Sequence, residues 1–191
     1  MTNLDIQPGL IAHVECIDID QFGNGLSIWN NWVLTTPNLV PGDIAKVKAE
    51  YRRGSIWMSS IVSVDKKSIY RREPPCRFFS NCGSCSLMHI DDEYQLKLKH
   101  KHLIDVLQRI ANVKVDLNFQ FVGINSFIDY RNRAIIPLGL THKNQIKFGY
   151  YKRFSQEIVD IDSCIVLDKR ISKIIAPLKA YLQEKLYKSD E

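Results

Sequence analysis

The stretch that decides how this chain is organised is Cys76-Arg-Phe-Phe-Ser-Asn-Cys82-Gly-Ser-Cys85, which follows Pro74-Pro75. Three thiols within ten residues of a Pro- and Gly-containing stretch predict a tight loop whose side chains converge on a metal. Thiolates are the soft ligands that zinc and iron-sulfur clusters select, but three are too few for either. The residues leave the fourth ligand open between His89, which would complete a zinc site, and the distant Cys164.

The cysteine count and the absence of apolar runs indicate the class of protein. Five cysteines are an odd number, which fits poorly with a fully paired disulfide framework in a secreted protein. No run approaches the ~20 apolar residues that span a bilayer, and the first twenty residues do not resemble a signal peptide. The sequence therefore predicts a soluble, cytoplasmic protein.

The net charge of +5 is unevenly distributed along the chain. Residues 1–65 contain four Lys or Arg against seven Asp or Glu, and the remaining 126 residues contain 22 against 14. A basic excess of this kind favours attraction for a polyanion in the second part of the chain. A solvated basic surface without a partner would have the same composition.

The part of the chain before the cysteines alternates between short apolar runs and turn residues. The runs occupy residues 11–19, 26–34, 44–51 and 56–64, and Gly, Pro and Asn lie between them. This close spacing predicts an all-β fold, a five-stranded OB-like barrel over residues 1–65. A polar, basic stretch ending in Pro74-Pro75 predicts a linker, so we place the domain boundary near residue 66.

Residues 66–187 are predicted to form a small α+β domain with antiparallel strands, followed by a tail at 188–191. Leucine and isoleucine at helical spacing predict a helix over 93–111, with Asp92 and Gln95 as a capping pair. Period-two patterning, which includes Phe119 and Phe121, predicts strands between 118 and 162. A last helix over 169–187 must start late or kink at Pro177.

The cysteine loop and the segments after it resemble RNA uracil-5 methyltransferases. In that family the loop reads Cys-x5-Cys-Gly-Gly-Cys, and a fourth cysteine follows a strand similar to Glu-Ile-Val-Asp-Ile. The matching segments here are 76–85, 94–99, Tyr130-Arg131-Asn132-Arg133-Ala134, 146–151 and Glu157-Ile-Val-Asp-Ile-Asp-Ser-Cys164. Ser84 stands in place of the second glycine and Met88 in place of the usual glutamine. The barrel, through Leu39-Val-Pro-Gly-Asp43, is similar to the TRAM domain that opens many members.

This resemblance implies both a cofactor and partners. It implies one 4Fe-4S cluster held by Cys76, Cys82, Cys85 and Cys164, and binding to ribosomal or transfer RNA. The family uses S-adenosylmethionine in a further catalytic domain, whose glycine-rich turn after a strand is missing from this sequence. We therefore expect no catalytic residue in this chain and no methyl transfer by it alone. A second chain that carries the missing domain would then be a partner.

Two arginines are the predicted RNA contacts. In a strand through residues 130–137, Arg131 and Arg133 would project to one face, where guanidinium groups can meet phosphates or unstacked bases. Arginines paired with surface carboxylates are the alternative. Three functions stay open from the sequence: part of an RNA methyltransferase, a stand-alone RNA-binding iron-sulfur protein, and a zinc-stabilised interaction module.

Overall fold

The structure is a computed structural model that describes residues 6–114, 123 and 126–188. The chain forms two compact units: the first contains residues up to 73 together with 86–121, and the second contains 74–85 together with 122–191. This division differs from the domain boundary near residue 66 that we predicted from the sequence. The cause is the segment after the cysteine loop, where Ile90 and Leu98 pack against Val40 of the first unit.

The first unit contains a closed barrel, which confirms the predicted five-stranded all-β fold. Its strands are β1 (Ile11–Ile19), β2 (Gly25–Trp29), β3 (Trp32–Thr36), β4 (Ile44–Arg53) and β5 (Ile56–Lys66), in the order β1-β2-β3-β5-β4. Antiparallel pairing of β1 with β4 closes the barrel, and β3 pairs with β5 in parallel. Alternate residues of β1, Ala12, Val14 and Cys16, point into the core, as a half-buried strand requires.

The predicted run over residues 26–34 is in fact two strands. Asn30 and Asn31 adopt positive φ angles of 45° and 66° between β2 and β3. Two consecutive left-handed residues are the geometry of a type I′ hairpin turn, and asparagine tolerates it well. The run therefore folds back on itself at Asn30-Asn31, a turn signal that lies inside the predicted run.

Helix α1 (Asp92–Arg109) matches the predicted helix to within two residues at each end, but its cap and its buried face differ from the prediction. Asp91 is the N-cap, because its carboxylate accepts hydrogen bonds from the backbone N–H groups of Glu93 and Tyr94 at 3.0 and 3.1 Å. The helix buries Gln95 and Leu98, whereas the predicted face residues include the exposed Leu103 and Ile110. Packing against the barrel selects a face that helical periodicity alone does not identify.

The second unit contains a three-stranded antiparallel sheet and two helices. The sheet order is β6 (Leu138–Leu140), β7 (Ile146–Tyr151) and β8 (Ile158–Asp160), followed by α2 (Lys169–Ser172) and α3 (Ile175–Lys188). The predicted hairpin that joins β7 to β8 is confirmed. Pro177 is the third residue of α3, so the helix starts late, as predicted, and the missing N–H costs nothing there.

Ile146, Phe148 and Tyr150 of β7 form the core of this unit with Leu167 and Ile175. The predicted strand through Phe119 and Phe121 lies outside the described residues. No helix within the described ranges is long and apolar enough to cross a membrane.

Candidate metal centre

The cysteine loop is a series of tight turns anchored to the core of the second unit. The carbonyl of Phe78 accepts the N–H groups of Asn81 and Cys82, at 3.1 and 2.7 Å, and the carbonyl of Cys76 accepts that of Phe79 at 3.1 Å. The Phe78 side chain packs against the core. Backbone turns around a half-buried aromatic side chain therefore hold the loop in place.

Gly83 brings the loop against the β7–β8 hairpin. Its N–H donates to the carbonyl of Tyr151 at 2.9 Å, and Cys82 forms a bridge with Lys152. A Cβ at this position would lie 2.8 Å from the backbone nitrogen of Arg153 and 2.9 Å from the Tyr151 oxygen. Glycine is thus required by close approach of two backbones. Ser84, which the structure describes, does not adopt a positive φ angle, so serine fits the backbone conformation of the loop there.

Cys164 reaches the same place from the other end of the unit. It follows β8, and its backbone N–H donates to the Ser172 hydroxyl of α2 at 2.9 Å. Its carbonyl accepts the N–H of Leu167, a fully buried core residue, at 3.2 Å. The last residue of a short helix and a core leucine thus position a thiol that is 79 residues away from Cys85 in sequence.

The four thiols of the second unit lie within electrostatic range of one another. Burial, followed by the neighbouring Cys164, Cys82 and Cys76, raises the pKa of Cys85 to about 11 against the opposing effect of Arg131. Burial likewise raises the pKa of Cys164. Burial and the neighbouring thiols therefore disfavour ionisation of Cys85 and Cys164, and a bound cation would offset this cost. The donor set fits a soft metal or an iron-sulfur cluster.

The two metals place different demands on ligand spacing. Zinc takes all four ligands on one atom, at about 2.0 to 2.3 Å, whereas each cysteine of a 4Fe-4S cluster binds its own iron. In the described part of the chain, no group of three His, Cys, Asp or Glu side chains is gathered around a single metal position. His89, the alternative fourth ligand, is 2% exposed and belongs to the first unit.

The two arginines predicted to bind RNA do not share a strand. Residues 132–137 have no regular structure, and β6 begins only at Leu138. Arg131 is half-buried and its backbone pairs with residues 166–168, donating to the Val166 carbonyl at 2.9 Å and accepting from Asp168 at 2.9 Å. Arg133 is exposed. The alternation argument for a common face therefore does not apply, and RNA contact by either arginine stays a prediction.

Comparison with known proteins gives a consistent set of relatives. No protein-family model matches the chain. Uncharacterized RNA methyltransferases of Parasynechococcus marenigrum and Prochlorococcus marinus are each 35% identical to it, over 91% and 80% of this chain and 37% and 36% of their own lengths. The crystal structure of Pyrococcus abyssi tRNA (uracil-54, C5)-methyltransferase, with S-adenosyl-L-homocysteine, matches 90% of this chain and 37% of that chain, with a TM-score of 0.54 and 26% identity.

Over most of its length the chain is a relative of RNA methyltransferases. It spans a little over a third of the length of the family members it matches. The resemblance of the cysteine loop and of the segments that follow it is thereby confirmed at the level of the family.

The fifth cysteine of the chain is not a reactive thiol. Cys16 is 1% exposed in the barrel core, and burial, followed by the charge of Asp43, raises its pKa to about 12. Burial is the larger of these two causes. Cys16 thus lacks the activation that a nucleophile requires.

Sequence reasoning missed two groups around the thiols. Ser172 holds the Cys164 backbone, and the guanidinium of Arg153 donates to the Cys85 carbonyl at 3.2 Å. Neither residue belongs to a motif with ligand spacing. Arg153 could have been considered from the sequence, because it follows the family-like segment 146–151 and lies in the predicted hairpin.

Proposed function

We propose that this chain is the RNA-binding, 4Fe-4S-carrying part of an S-adenosylmethionine-dependent RNA uracil-5 methyltransferase. The observation that carries the proposal is the convergence of four cysteines from two distant segments in one compact unit of a family member. Four soft thiol donors match the ligand requirement of a cluster. Cys164 lies within electrostatic range of Cys85, which favours it over His89 as the fourth ligand.

The role of the cluster in this proposal is structural. When bound, it supplies iron–thiolate bonds that tie the 76–85 loop to the segment ending at Cys164. The protein's own contribution is to hold these segments in place through Gly83, Phe78 and Ser172. Because this unit is small, a covalent tie of this kind replaces hydrophobic core that it lacks. The methyl transfer itself belongs to the part of the relatives that this chain does not span.

The metal content of the purified protein tests the proposal. Protein isolated without oxygen should be brown and contain about four iron atoms per chain, because a four-cysteine site of this kind holds a 4Fe-4S cluster. Stoichiometric zinc without iron, lost on His89→Ala and retained on Cys164→Ala, would replace the proposal with the zinc-stabilised interaction module.

RNA binding by the second part of the chain gives a separate prediction. Replacing Arg131 and Arg133 together with glutamine should weaken binding to a uridine-containing stem-loop. If both arginines contact phosphates, the slope of log affinity against log salt should fall by roughly two, at about one per contact. Filter binding across a salt series measures both quantities.

Arg170→Gln is the matched control for this experiment. Its guanidinium is exposed but already paired with Asp168 at 2.9 Å, so its loss should change RNA affinity little. Equal affinities and slopes for the double variant and the control would remove the two arginines from the RNA-binding surface. The single variants then separate the half-buried Arg131 from the exposed Arg133.

A further inference from the structure

The hydroxyl of Tyr150 is a buried polar group without a partner. The residue is 9% exposed and lies in β7 at the centre of the second unit's core. Its oxygen has no hydrogen bond to any atom of the described residues. Burying a hydroxyl unpaired is unfavourable, and native proteins nearly always satisfy such groups with protein, water or a ligand. An unpaired hydroxyl therefore indicates that something else occupies the space it faces.

Cysteines of the proposed cluster site lie within electrostatic range of this hydroxyl. Burial raises the pKa of Tyr150, the charges of Cys164, Cys82 and Cys85 raise it further, and Arg131 lowers it. The next residue, Tyr151, accepts the Gly83 N–H with its carbonyl, so β7 runs directly beside the cysteine loop. The phenol thus stays protonated at neutral pH and can donate a hydrogen bond toward the thiols.

We propose that Tyr150 donates a hydrogen bond from its hydroxyl to a sulfur atom of the bound iron-sulfur cluster, and so makes the cluster easier to reduce. The proposal rests on the cluster of the proposed function and adds a residue that is not a ligand. Hydrogen bonds to cluster sulfurs, together with net charge and burial, set the reduction potential. The more negative, reduced cluster accepts such a bond more strongly, so the bond stabilises the reduced state.

The test is the reduction potential of Tyr150→Phe, compared with wild-type protein and with Tyr151→Phe. The Tyr150 change removes one oxygen atom and keeps the ring that fills the core. Tyr151 is 48% exposed, so its hydroxyl can be lost to solvent without consequence and it serves as the matched control. We expect Tyr150→Phe to disfavour the reduced state by roughly tenfold, which corresponds to a midpoint about 59 mV more negative for a one-electron couple.

A second readout follows the loss of iron from oxidised protein in the presence of a chelator. Tyr150→Phe should carry the same iron at isolation as wild type and release it several-fold faster, whereas Tyr151→Phe should match wild type. Without the cluster, Tyr150→Phe should be at least as resistant to thermal unfolding as wild type, because the unpaired hydroxyl is gone. That measurement separates loss of a hydrogen bond from damage to the fold.

The outcomes distinguish this inference from the function on which it rests. Wild-type protein without iron would overturn the cluster itself. Iron-loaded Tyr150→Phe with the midpoint and the release rate of Tyr151→Phe would overturn only the hydrogen bond, and would mean that the hydroxyl binds a buried water.

Discussion

Cys164→Ala should remove the iron-sulfur cluster from the purified protein, although Cys164 lies 79 residues from the nearest other cysteine of the set. Each cysteine thiolate of a 4Fe-4S site is the protein ligand of one iron atom. With three thiolates one iron has no protein ligand, so it is open to solvent and the cluster becomes labile. We expect the iron content to fall from about four atoms per chain to less than one on aerobic isolation. Iron analysis and the visible absorption of the cluster measure the loss.

Cys16→Ala is the matched control for this substitution. Cys16 is buried in the barrel core and belongs to the first unit, while all four proposed ligands belong to the second. It should retain full iron content while losing a little stability from the small cavity. Unchanged iron in Cys164→Ala, or equal losses in the two variants, would contradict the four-cysteine ligand set.

Asp43→Ala should destabilise the first unit by about 3–5 kcal/mol, because it leaves the buried Arg71 guanidinium without its counter-charge. The Asp43 side chain is fully buried and forms an ion pair with Arg71, whose side chain is 17% exposed. It also accepts the N–H groups of Val40 at 2.7 Å and Ser68 at 2.8 Å. One carboxylate thus closes the 40–43 turn and ties it to the chain that leaves the barrel.

The unfolding of this unit can be followed by tryptophan fluorescence, because all three tryptophans, Trp29, Trp32 and Trp57, lie in barrel strands. Asp65→Ala is the control, since Asp65 is partly exposed and pairs with the exposed His13; its unfolding midpoint should stay near that of wild type. Equal midpoints for the two variants would show that the Asp43 network contributes nothing to stability.

Acid should reproduce part of this loss in the wild-type protein. Burial alone would raise the pKa of Asp43, but the hydrogen bonds from Arg71, Ser68 and Val40 outweigh it and hold the pKa below its usual 3.8. A depressed folded-state pKa contributes stability that is present above about pH 4 and is lost as the pH falls through the lower, folded-state pKa. In Asp43→Ala this part of the acid sensitivity should be missing.

The sequence was informative wherever a local pattern matched the contacts that decide the structure. Strand alternation with turn residues between the runs predicted the barrel, since each strand buries its own alternate face. The β7–β8 hairpin and the late start of α3 at Pro177 were readable for the same reason. Spacing singled out Cys76, Cys82 and Cys85, and the family resemblance added Cys164, but the residues alone could not choose between Cys164 and His89.

The rest depended on contacts between segments that are distant in the chain. Helical periodicity predicted α1 but not its buried face, because the barrel surface that receives Leu98 is built from other strands. Alternation predicted a strand at Arg131, whereas pairing with residues 166–168 leaves the residues after it irregular. In the sequence, nothing distinguishes Tyr150 from any other aromatic residue of a hydrophobic core. Only tertiary packing buries its hydroxyl within electrostatic range of the cysteines, because burial and electrostatic range depend on distances in space and not on separation in the sequence.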